Sequence, residues 1–435
     1  SGMRRYLKEL KPTVYEDIAV MIALYRPGPI ELIPEFIARK HGKKRIEYLH
    51  PKLESVLANT YGIMIYQEQL MAAAQALAGF SLPEADILRK AVSKKIKKLL
   101  ADQKDKLIQG CKTNQVSENI AEKFWQLIEP FDRYGFNKSH AVCYAMISYQ
   151  TAYLKAHYPV EFMAALMNSA SADIERIAFL IEECQSMGIE VLPPEINESM
   201  ENFTIISTFT SGTNYALPKV RFGLAAIKNV GVNIVQAIIE ERKNGGLFKD
   251  VENFVSRVQN KDLNKKSLES LTRCGALDIF GERATLLANI EQLLYYSRES
   301  QKARTTGQVS LFDGPNSAVT LPSLRLAETA GATRAEKLMW EKELLGLFIS
   351  DHPLKDYQHK LDFEKGLMKI KDLPVNRNNI QVKIGGIVTK IQKVLTKSGK
   401  PMVFSWVEDT TSKIEVVAFP NILEANPDAF RENNV

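Results

Sequence analysis

Cationic and amide side chains stand where phosphate groups could bind, next to segments with helical periodicity. The run Asn137-Lys138-Ser139-His140 directly precedes a long apolar stretch that ends at Pro159. A helix beginning at this run would offer unpaired N–H groups and the positive end of its dipole to an anion. We therefore predict phosphate contacts at Asn137, Lys138 and His140. The stretch has almost no polar face, so we expect its helix to be buried, and spacing alone favours a buried helix with a polar cap.

Further cations accompany other predicted helices. Arg26 precedes Pro27 and Pro29, which force an extended turn and fix the point where the arginine leaves the helix. The densest basic run follows a predicted helix that starts with a capping box. Its candidate phosphate ligands are Arg89, Lys90, Lys94 and Lys95. This run and another at 39–45 either contact phosphate or form a solvated face, since cations also stabilise a helix C-terminus.

Composition predicts a soluble globular protein of two to four domains. The 435 residues are 45% hydrophobic and 25% charged, and the net charge of +6 suits a polyanionic partner without requiring one. The four cysteines are widely separated and form no CxxC pair, as in a reduced cytosolic protein. The sequence lacks a signal peptide, and no uninterrupted apolar run approaches the roughly 18 residues of a membrane span. We expect a cytoplasmic protein.

Two segments resemble helix-hairpin-helix units, at 227–242 and 268–277. In such a unit a glycine lets the backbone approach a phosphate, and the N–H groups of the next helix bind it without reading a base. One copy alone would favour an ordinary turn between helices, but two in succession favour duplex DNA. The predicted contacts are Lys228, Val230, Gly231, Lys265, Lys266 and Gly275.

A polar stretch at 301–320 contains two large apolar side chains that rarely belong in a linker. Leu311 and Phe312 would serve as hydrophobic anchors of a docking peptide, with Gln308 fixing its register. The alternative is a linker that folds back onto its own domain. Beyond it, the period changes from helical to short alternating strands at 382–388, 402–407 and 414–419.

Taken together, these motifs resemble the bacterial DNA polymerase III alpha subunit, a C-family replicative polymerase. The matching stretches are YRPGP at 25–29, RKHG at 39–42, YGIMIYQEQ at 61–69, LRKA at 88–91, YGFNKSHA at 134–141, HYPVEFMAALMNS at 157–169 and MGIEVLPPEIN at 187–197. The resemblance implies that residues 1–200 are polymerase fingers, which hold the incoming dNTP. Ser93 stands where the family usually has a glycine, so the loop near Lys94 and Lys95 need not have the shape that it has in the family.

The resemblance also divides the rest of the chain. It implies tandem helix-hairpin-helix units for duplex DNA at 201–299, a linker with a sliding-clamp peptide at 300–335, a helical connector at 336–370 and an incomplete OB-fold at 371–435. An OB-fold would stack single-stranded DNA on Phe404 and Trp406, although strand alternation makes about half of such aromatics core. The predicted fold is therefore multidomain and mainly α, followed by a β-barrel.

The implied function is template-directed nucleotidyl transfer with Mg²⁺. In this family the metal-binding aspartates lie in a palm domain, and no Asp-x-Asp pair in a strand context occurs in this sequence. We therefore expect no catalytic residue and no metal ligand on this chain, and no activity from it alone. Its expected partners are DNA, dNTP, the sliding clamp and other replisome subunits. The alternatives are a non-catalytic module that binds DNA and the clamp, or an error-prone paralogue.

Overall fold

Two compact units make up the chain, residues 1–158 (unit 1) and 159–435 (unit 2). The computed structural model describes residues 2–94, 97–128, 131, 135–209, 216–306, 324–374, 379–396, 398–426, 428–432 and 434. Helices predominate in both units and a small sheet lies near the C-terminus, so the prediction of a multidomain, mainly α fold is confirmed. Within these ranges, no helix is both long and apolar enough to cross a bilayer.

Unit 1 consists of helices joined by short turns over the residues described. Its α-helices are α1 (Gly2–Leu10), α2 (Tyr15–Leu24), α3 (Ile33–Lys40), α4 (Glu54–Leu57), α5 (Gln67–Ala78), α6 (Leu82–Lys94), α7 (Lys97–Thr113), α8 (Glu118–Ile128) and α9 (Lys138–His157). One hydrophobic core joins α5 to α8, and Leu70, Leu88 and Phe124 lie at its centre. A second joins α1, α2 and α3 to the first turns of α9, around Met21 and Phe36.

The prediction that helix α9 is buried was wrong. Ala141 and Ala145 are fully buried where α9 packs against α2, and the Tyr15 hydroxyl donates to the Val142 carbonyl. Most of the remaining surface is exposed, with Tyr144 at 53% and Ile147 at 57%. The apolar residues all around α9 suggested burial on every side, but within unit 1 only the stripe of small residues is covered.

Unit 2 contains the remaining helices and both small sheets. Its α-helices are α10 (Pro159–Ser169), α11 (Ile174–Ser186), α12 (Val232–Gly245), α13 (Val251–Arg257), α14 (Lys265–Arg273), α15 (Arg283–Ala288), α16 (Ile290–Thr306), α17 (Arg334–Leu345), α18 (Gln358–Phe363) and α19 (Pro420–Ala425). Its strands are β1 (Val191–Leu192), β2 (Thr204–Phe209), β3 (Ala216–Arg221), β4 (Ile387–Leu395), β5 (Pro401–Glu408) and β6 (Lys413–Ala418).

One continuous core holds the first part of unit 2 together. It includes Met163 of α10, Ile177 of α11, Ile234 of α12 and Leu271 of α14, all fully buried. Residues 159–200, which the sequence analysis groups with the first domain, thus pack with the elements that follow them. The first sheet has the order β1-β3-β2, with β1 parallel and β2 antiparallel to β3.

Three strands near the C-terminus form an antiparallel meander in the order β4-β5-β6. The second and third lie within one residue of their predicted bounds, whereas the first was predicted at 382–388 and lies at Ile387–Leu395. Strands β4 and β5 pair from Ile387–Glu408 to Leu395–Pro401, with an irregularity between Val388 and Lys390. Strand β6 pairs with β5 from Val403–Ala418 to Glu408–Lys413. This meander is compatible with an OB-fold, which stays a prediction.

Candidate functional site

A parallel β-bridge in unit 1 joins the start of α5 to the start of α9. The Gln67 N–H donates to the Phe136 carbonyl at 2.8 Å, and the Phe136 N–H donates to the Ile65 carbonyl at 3.1 Å. The Gln67 side-chain amide also donates to the Gly135 carbonyl at 3.4 Å. Segments about 70 residues apart in sequence are thereby fixed side by side, together with the first turns of the helices that follow them.

The predicted polar cap of α9 is present. Asn137 Oδ1 accepts from the His140 N–H at 2.9 Å and from the Ser139 hydroxyl at 2.6 Å. The Lys138 N–H donates to Glu68 Oε2 at 2.9 Å, so a carboxylate from α5 already lies at the first N–H of the helix. Tyr134, the first residue of the motif, lies outside the described residues. The sequence analysis missed Glu68, because only the bridge brings α5 to this position.

Arg26 and Lys138 lie over aromatic rings beside this bridge. The guanidinium carbon of Arg26 is 4.6 Å from the centre of the Phe136 ring, and that ring is 5.6 Å from the His140 ring. The Lys138 ammonium is 6.0 Å from the centre of the Tyr66 ring. Burial lowers the pKa of Arg26, although an arginine stays charged at any physiological pH. The motif around Arg26 and the motif around Lys138 therefore form one surface.

Helix α6 brings a further cation to the same bridge. Arg89 donates to Gln67 Oε1 at 3.3 Å and, through Nη2, to Asp86 Oδ1 at 2.7 Å. The Lys90 ammonium lies 2.7 Å from the other oxygen of Asp86. Hydrogen bonds from Lys90 and Arg89 lower the pKa of the Asp86 carboxyl, which stays ionised between them.

We name Arg26, Arg89, Asn137, Lys138 and His140 the cation cluster. These five predicted ligands come from three separate segments and meet around the bridge. Lys90 pairs with Asp86 instead, and Lys94 is exposed at the end of α6. Lys95 lies outside the described residues. The cluster presents guanidinium, ammonium and helix N–H groups, which are donors that suit an oxyanion.

Most cations in the run at 39–45 have a structural partner. Lys40 is buried against Asp17, with the ammonium 2.7 Å from the carboxylate. Arg39 and Lys44 both pair with Glu35, at 2.5 and 3.0 Å. These pairs tie α3 to its surroundings, which favours the structural interpretation of this run over a phosphate track.

The first predicted hairpin has the geometry of a backbone-binding turn. Asn229 adopts a left-handed conformation with φ of 67°, and buried Val230 anchors the loop. Gly231 is the N-cap of α12, and a Cβ added there would meet no described atom within 4 Å. Lys228 is exposed beside it. The first N–H groups of α12 are therefore accessible to a phosphate.

The structure corrects the position of the second hairpin. Gly275 follows the C-terminus of α14 with φ of +87°, and a Cβ there would lie 2.3 Å from the Arg283 guanidinium. Arg283 is ion-paired with Asp278, so this glycine is enclosed and no helix begins at it. A phosphate cannot approach Gly275 as it can approach Gly231.

The structure places the second hairpin at α13, the loop at 258–264 and α14. Asn264 caps α14 by accepting from the Ser267 N–H at 3.1 Å. The loop touches the first hairpin, because the Asn233 amide donates to Asp262 at 3.2 Å. Lys265 pairs with Glu291 at 2.8 Å, whereas Lys266 is exposed at the same helix start. The capping box at Asn264 was the sequence signal that could have located this hairpin.

The three residues of the predicted docking peptide, Gln308, Leu311 and Phe312, lie outside the described residues. Both flanks of the linker attach to the same carboxylate, that of Glu252 on α13. It accepts from the Tyr296 hydroxyl at 2.7 Å before the linker and from the Leu324 N–H at 3.2 Å after it. The linker thus leaves and returns to the helices that carry the hairpins.

Phe404 and Trp406 point to the same face of the C-terminal sheet. They alternate with Val403 and Ser405, which are buried, and are themselves half-buried. The Lys390 ammonium lies 5.8 Å from the centre of the Trp406 ring. This side of the sheet therefore combines aromatic and cationic groups.

The part of the chain that the structure describes contains no group of three histidine, cysteine, aspartate or glutamate side chains placed to hold a metal ion. Its carboxylates near the cation cluster, Asp86 and Glu68, are engaged by Arg89, Lys90 and the Lys138 N–H. These residues do not fit a Mg²⁺ site.

Two families of known proteins match parts of this chain. Residues 1–115 match the family described as the bacterial DNA polymerase III alpha subunit finger domain. Residues 188–286 match the helix-hairpin-helix motif, which confirms the prediction of that structure.

Relatives match almost the whole chain. It is 38% identical over 442 residues to the DNA polymerase III subunit alpha of Thermus aquaticus, which covers 99% of this chain and 35% of the relative. It is 39% identical to the protein of that name from Borreliella burgdorferi, over 100% of this chain and 37% of the relative. The protein of that name from Bacillus subtilis is 40% identical, over 97% of this chain and 36% of the relative. The chain thus spans about a third of the length of these relatives.

Proposed function

Since this chain belongs to the bacterial DNA polymerase III alpha-subunit family, we propose that it serves template-directed nucleotidyl transfer in a cytoplasmic replicative polymerase. Its part in that reaction is to bind the incoming dNTP, hold duplex DNA and attach to the sliding clamp. The proposal assigns no catalytic residue and no metal ligand to these 435 residues. The Mg²⁺ that stabilises the transferring phosphate charge is assigned to groups outside the described residues.

The cation cluster binds the triphosphate of the dNTP. The observation that carries this proposal is the bridge between Tyr66 and Phe136, which gathers Arg26, Arg89 and Lys138 from three segments. Guanidinium groups pair with phosphate oxygens through two N–H groups at once, and Lys138 adds a point charge at the helix N-terminus. Donors fixed in advance stabilise charge on the phosphates without reorganising during the reaction.

His140 and Phe136 place flat rings next to these donors. The two ring centres are 5.6 Å apart, and His140 is 4.7 Å from Tyr144 one turn further along α9. Rings in this position offer a stacking surface for the nucleobase while the phosphates lie at the cations. Asn137 fixes the first turn of α9 through its bond to the His140 N–H, so it positions these groups.

The two adjacent hairpins bind the backbone of duplex DNA. The exposed N-terminus of α12 at Gly231 and that of α14 at Lys266 lie on loops joined by the bond from Asn233 to Asp262. Contacts from backbone N–H groups and lysines to phosphates do not depend on base sequence. Binding should therefore be indifferent to sequence and weaken steeply as salt is raised.

The peptide around Gln308, Leu311 and Phe312 attaches the chain to the sliding clamp. The support is the position of its flanks, which Glu252 holds on the hairpin-bearing helices, so a clamp bound there would lie near the duplex. On the C-terminal sheet, Phe404 and Trp406 with Lys390 hold single-stranded template by stacking.

Charge reversal tests the nucleotide site. The double variant Arg89→Glu and Lys138→Glu should weaken binding of dATP to the chain by more than tenfold, measured by isothermal titration calorimetry, because two phosphate-facing cations become repulsive. Lys123→Glu, an exposed charge reversal on α8, is the matched control and should leave affinity unchanged. Equal affinities for the double variant and the control would remove the cluster from the nucleotide site.

A further inference from the structure

A cavity of about 670 Å³ lies in unit 2 between α11, the start of the segment after α17, and strands β4 and β5. It is separate from the hairpins and is large enough to enclose most of a nucleotide-sized ligand. Its walls combine aromatic rings with ionisable side chains, which is the composition expected of a binding site.

Aromatic rings with adjacent cations form two of the walls. Phe179 on α11 is 52% exposed, and the guanidinium carbon of Arg176 lies 5.0 Å from its ring centre. Trp406 on β5 has the Lys390 ammonium 5.8 Å from its ring centre. A large apolar ring exposed to a cavity gains free energy when a second flat ring covers it, and the cations beside it suit phosphate at the rim.

Another wall carries ionisable groups. Burial, together with Glu408, raises the pKa of the Glu182 carboxyl, and burial lowers the pKa of the Lys342 ammonium. His352 Nε2 is shielded from solvent and has no hydrogen-bond partner among the described atoms, with Glu408 Oε1 3.5 Å away. A shielded ring nitrogen such as His352 Nε2 is costly to bury unless a ligand supplies a complementary donor or acceptor.

These walls distinguish between classes of ligand. The carboxylates of Glu182 and Glu408 repel a phosphate beside them, while the ammonium groups of Lys390 and Lys413 line the same cavity and are exposed. Lys390 lies 3.8 Å from the exposed carboxylate of Glu175, which a phosphate would displace. A nucleobase has two flat faces and an edge of donors and acceptors, and it can enter a pocket only after leaving the stack. The phosphates that flank it stay outside, beside the two lysines.

We propose that this cavity receives one unstacked base of single-stranded DNA, with its ring against Trp406 and Phe179 and its edge towards Glu182, Lys342 and His352. The proposal rests on the single-strand binding assigned above to the C-terminal sheet. It extends that assignment from stacking on an open surface to enclosure of a single base between the sheet and α11.

Trp406 itself reports on occupancy. The chain has 3 tryptophans, so Trp125→Phe and Trp340→Phe leave Trp406 as the only indole. Titration of this variant with a twelve-residue deoxyoligonucleotide should quench its fluorescence. Phe179→Ala should then weaken the titration by about tenfold, since base stacking contributes about 1–3 kcal/mol per base and 1.4 kcal/mol is a factor of ten. Circular dichroism checks that each variant is folded.

Phe363→Ala is the matched control, because Phe363 is 87% exposed and lies outside the cavity lining. An unchanged affinity in Phe363→Ala with a weakened one in Phe179→Ala supports the proposal. Quenching that persists unchanged in Phe179→Ala would overturn it and leave stacking on the open sheet. Absence of quenching in the variant that keeps both Phe179 and Trp406 would contradict both the enclosed base and stacking on the open sheet. Binding of dATP and of duplex DNA, measured on that variant, shows whether the other assignments stand. Equal quenching by free dAMP at the same concentration would also overturn it, in favour of a small-molecule pocket.

Discussion

Replacing Glu68 with glutamine should tighten the binding of a triphosphate to the cation cluster. Glu68 Oε2 accepts from the Lys138 N–H at 2.9 Å, and this first N–H of α9 is one of the donors assigned to phosphate. A phosphate oxygen and the carboxylate cannot both occupy it, so binding must displace Glu68. Glutamine keeps the size of the side chain and removes its charge.

The size of the effect follows from the bond that is lost. A hydrogen bond to a charged group contributes about 1.5–3 kcal/mol and a neutral one about 1 kcal/mol, so the neutral variant releases the N–H at a cost lower by about 1 kcal/mol. That difference corresponds to roughly a fivefold lower dissociation constant. Removal of a negative charge near Arg89 and Lys138 acts in the same direction.

Isothermal titration of the chain with sodium tripolyphosphate measures this change without a base or sugar. Glu16→Gln is the matched control. Burial raises the pKa of Tyr66 and both Glu68 and Glu16 add to that rise, so both carboxylates act on this region, but Glu68 is the one that accepts from Lys138. A fivefold gain in Glu68→Gln and a much smaller one in Glu16→Gln is expected. Equal gains would mean that general charge explains the effect, and weaker binding would mean that Glu68 helps to hold the site open; either result refutes the displacement argument.

Three other changes have defined outcomes. Asp17→Asn breaks the buried pair with Lys40 and should lower the free energy of unfolding by about 3–5 kcal/mol at pH 7 in denaturant titrations. Burial raises the pKa of Asp17, but hydrogen bonds from Lys40, Thr13 and Val14 lower it by more, so the net pKa is lowered. The wild type should therefore lose this stability as the pH falls below about 4, where the stabilities of the two proteins converge. A difference that stays constant with pH would contradict this. Gly275→Ala should lower the melting temperature, since its Cβ would meet Arg283, whereas Gly231→Ala should not; equal melting temperatures would contradict the enclosed position of Gly275. Leu311→Ala with Phe312→Ala should abolish clamp binding in surface plasmon resonance and leave duplex binding intact, and retained clamp affinity would make the peptide only a linker.

The predicted phosphate ligands that meet in the cation cluster each lie in a recognisable local pattern. Arg26 before two prolines, Arg89 in a basic helix end and Asn137 as a cap each follow from a few neighbouring residues. Asp86, three residues before Arg89 on α6, is also a local partner, but Glu68, the partner of Lys138, could not be predicted in this way. Glu68 reaches Lys138 only because the bridge aligns α5 with α9, and that pairing is a tertiary contact between distant segments.

Two errors have related physical causes. The apolar surface of α9 predicted burial, but hydrophobicity does not say which element covers it, and within unit 1 only Ala141 and Ala145 are covered. Gly275 was interpreted as a hairpin glycine because glycine serves both at helix C-termini and at phosphate-binding turns. The left-handed φ of Gly275 and the adjacent Arg283 guanidinium show that it ends a helix, and neither feature is visible in the sequence.

Hydrogen–deuterium exchange with and without dATP tests most directly whether the cation cluster is the nucleotide site. Slower exchange is expected at the backbone amides of 24–28, 65–68, 86–90 and 136–141, the segments that meet at the Tyr66–Phe136 bridge. Protection confined to other parts of the chain, with these four segments unchanged, would contradict it.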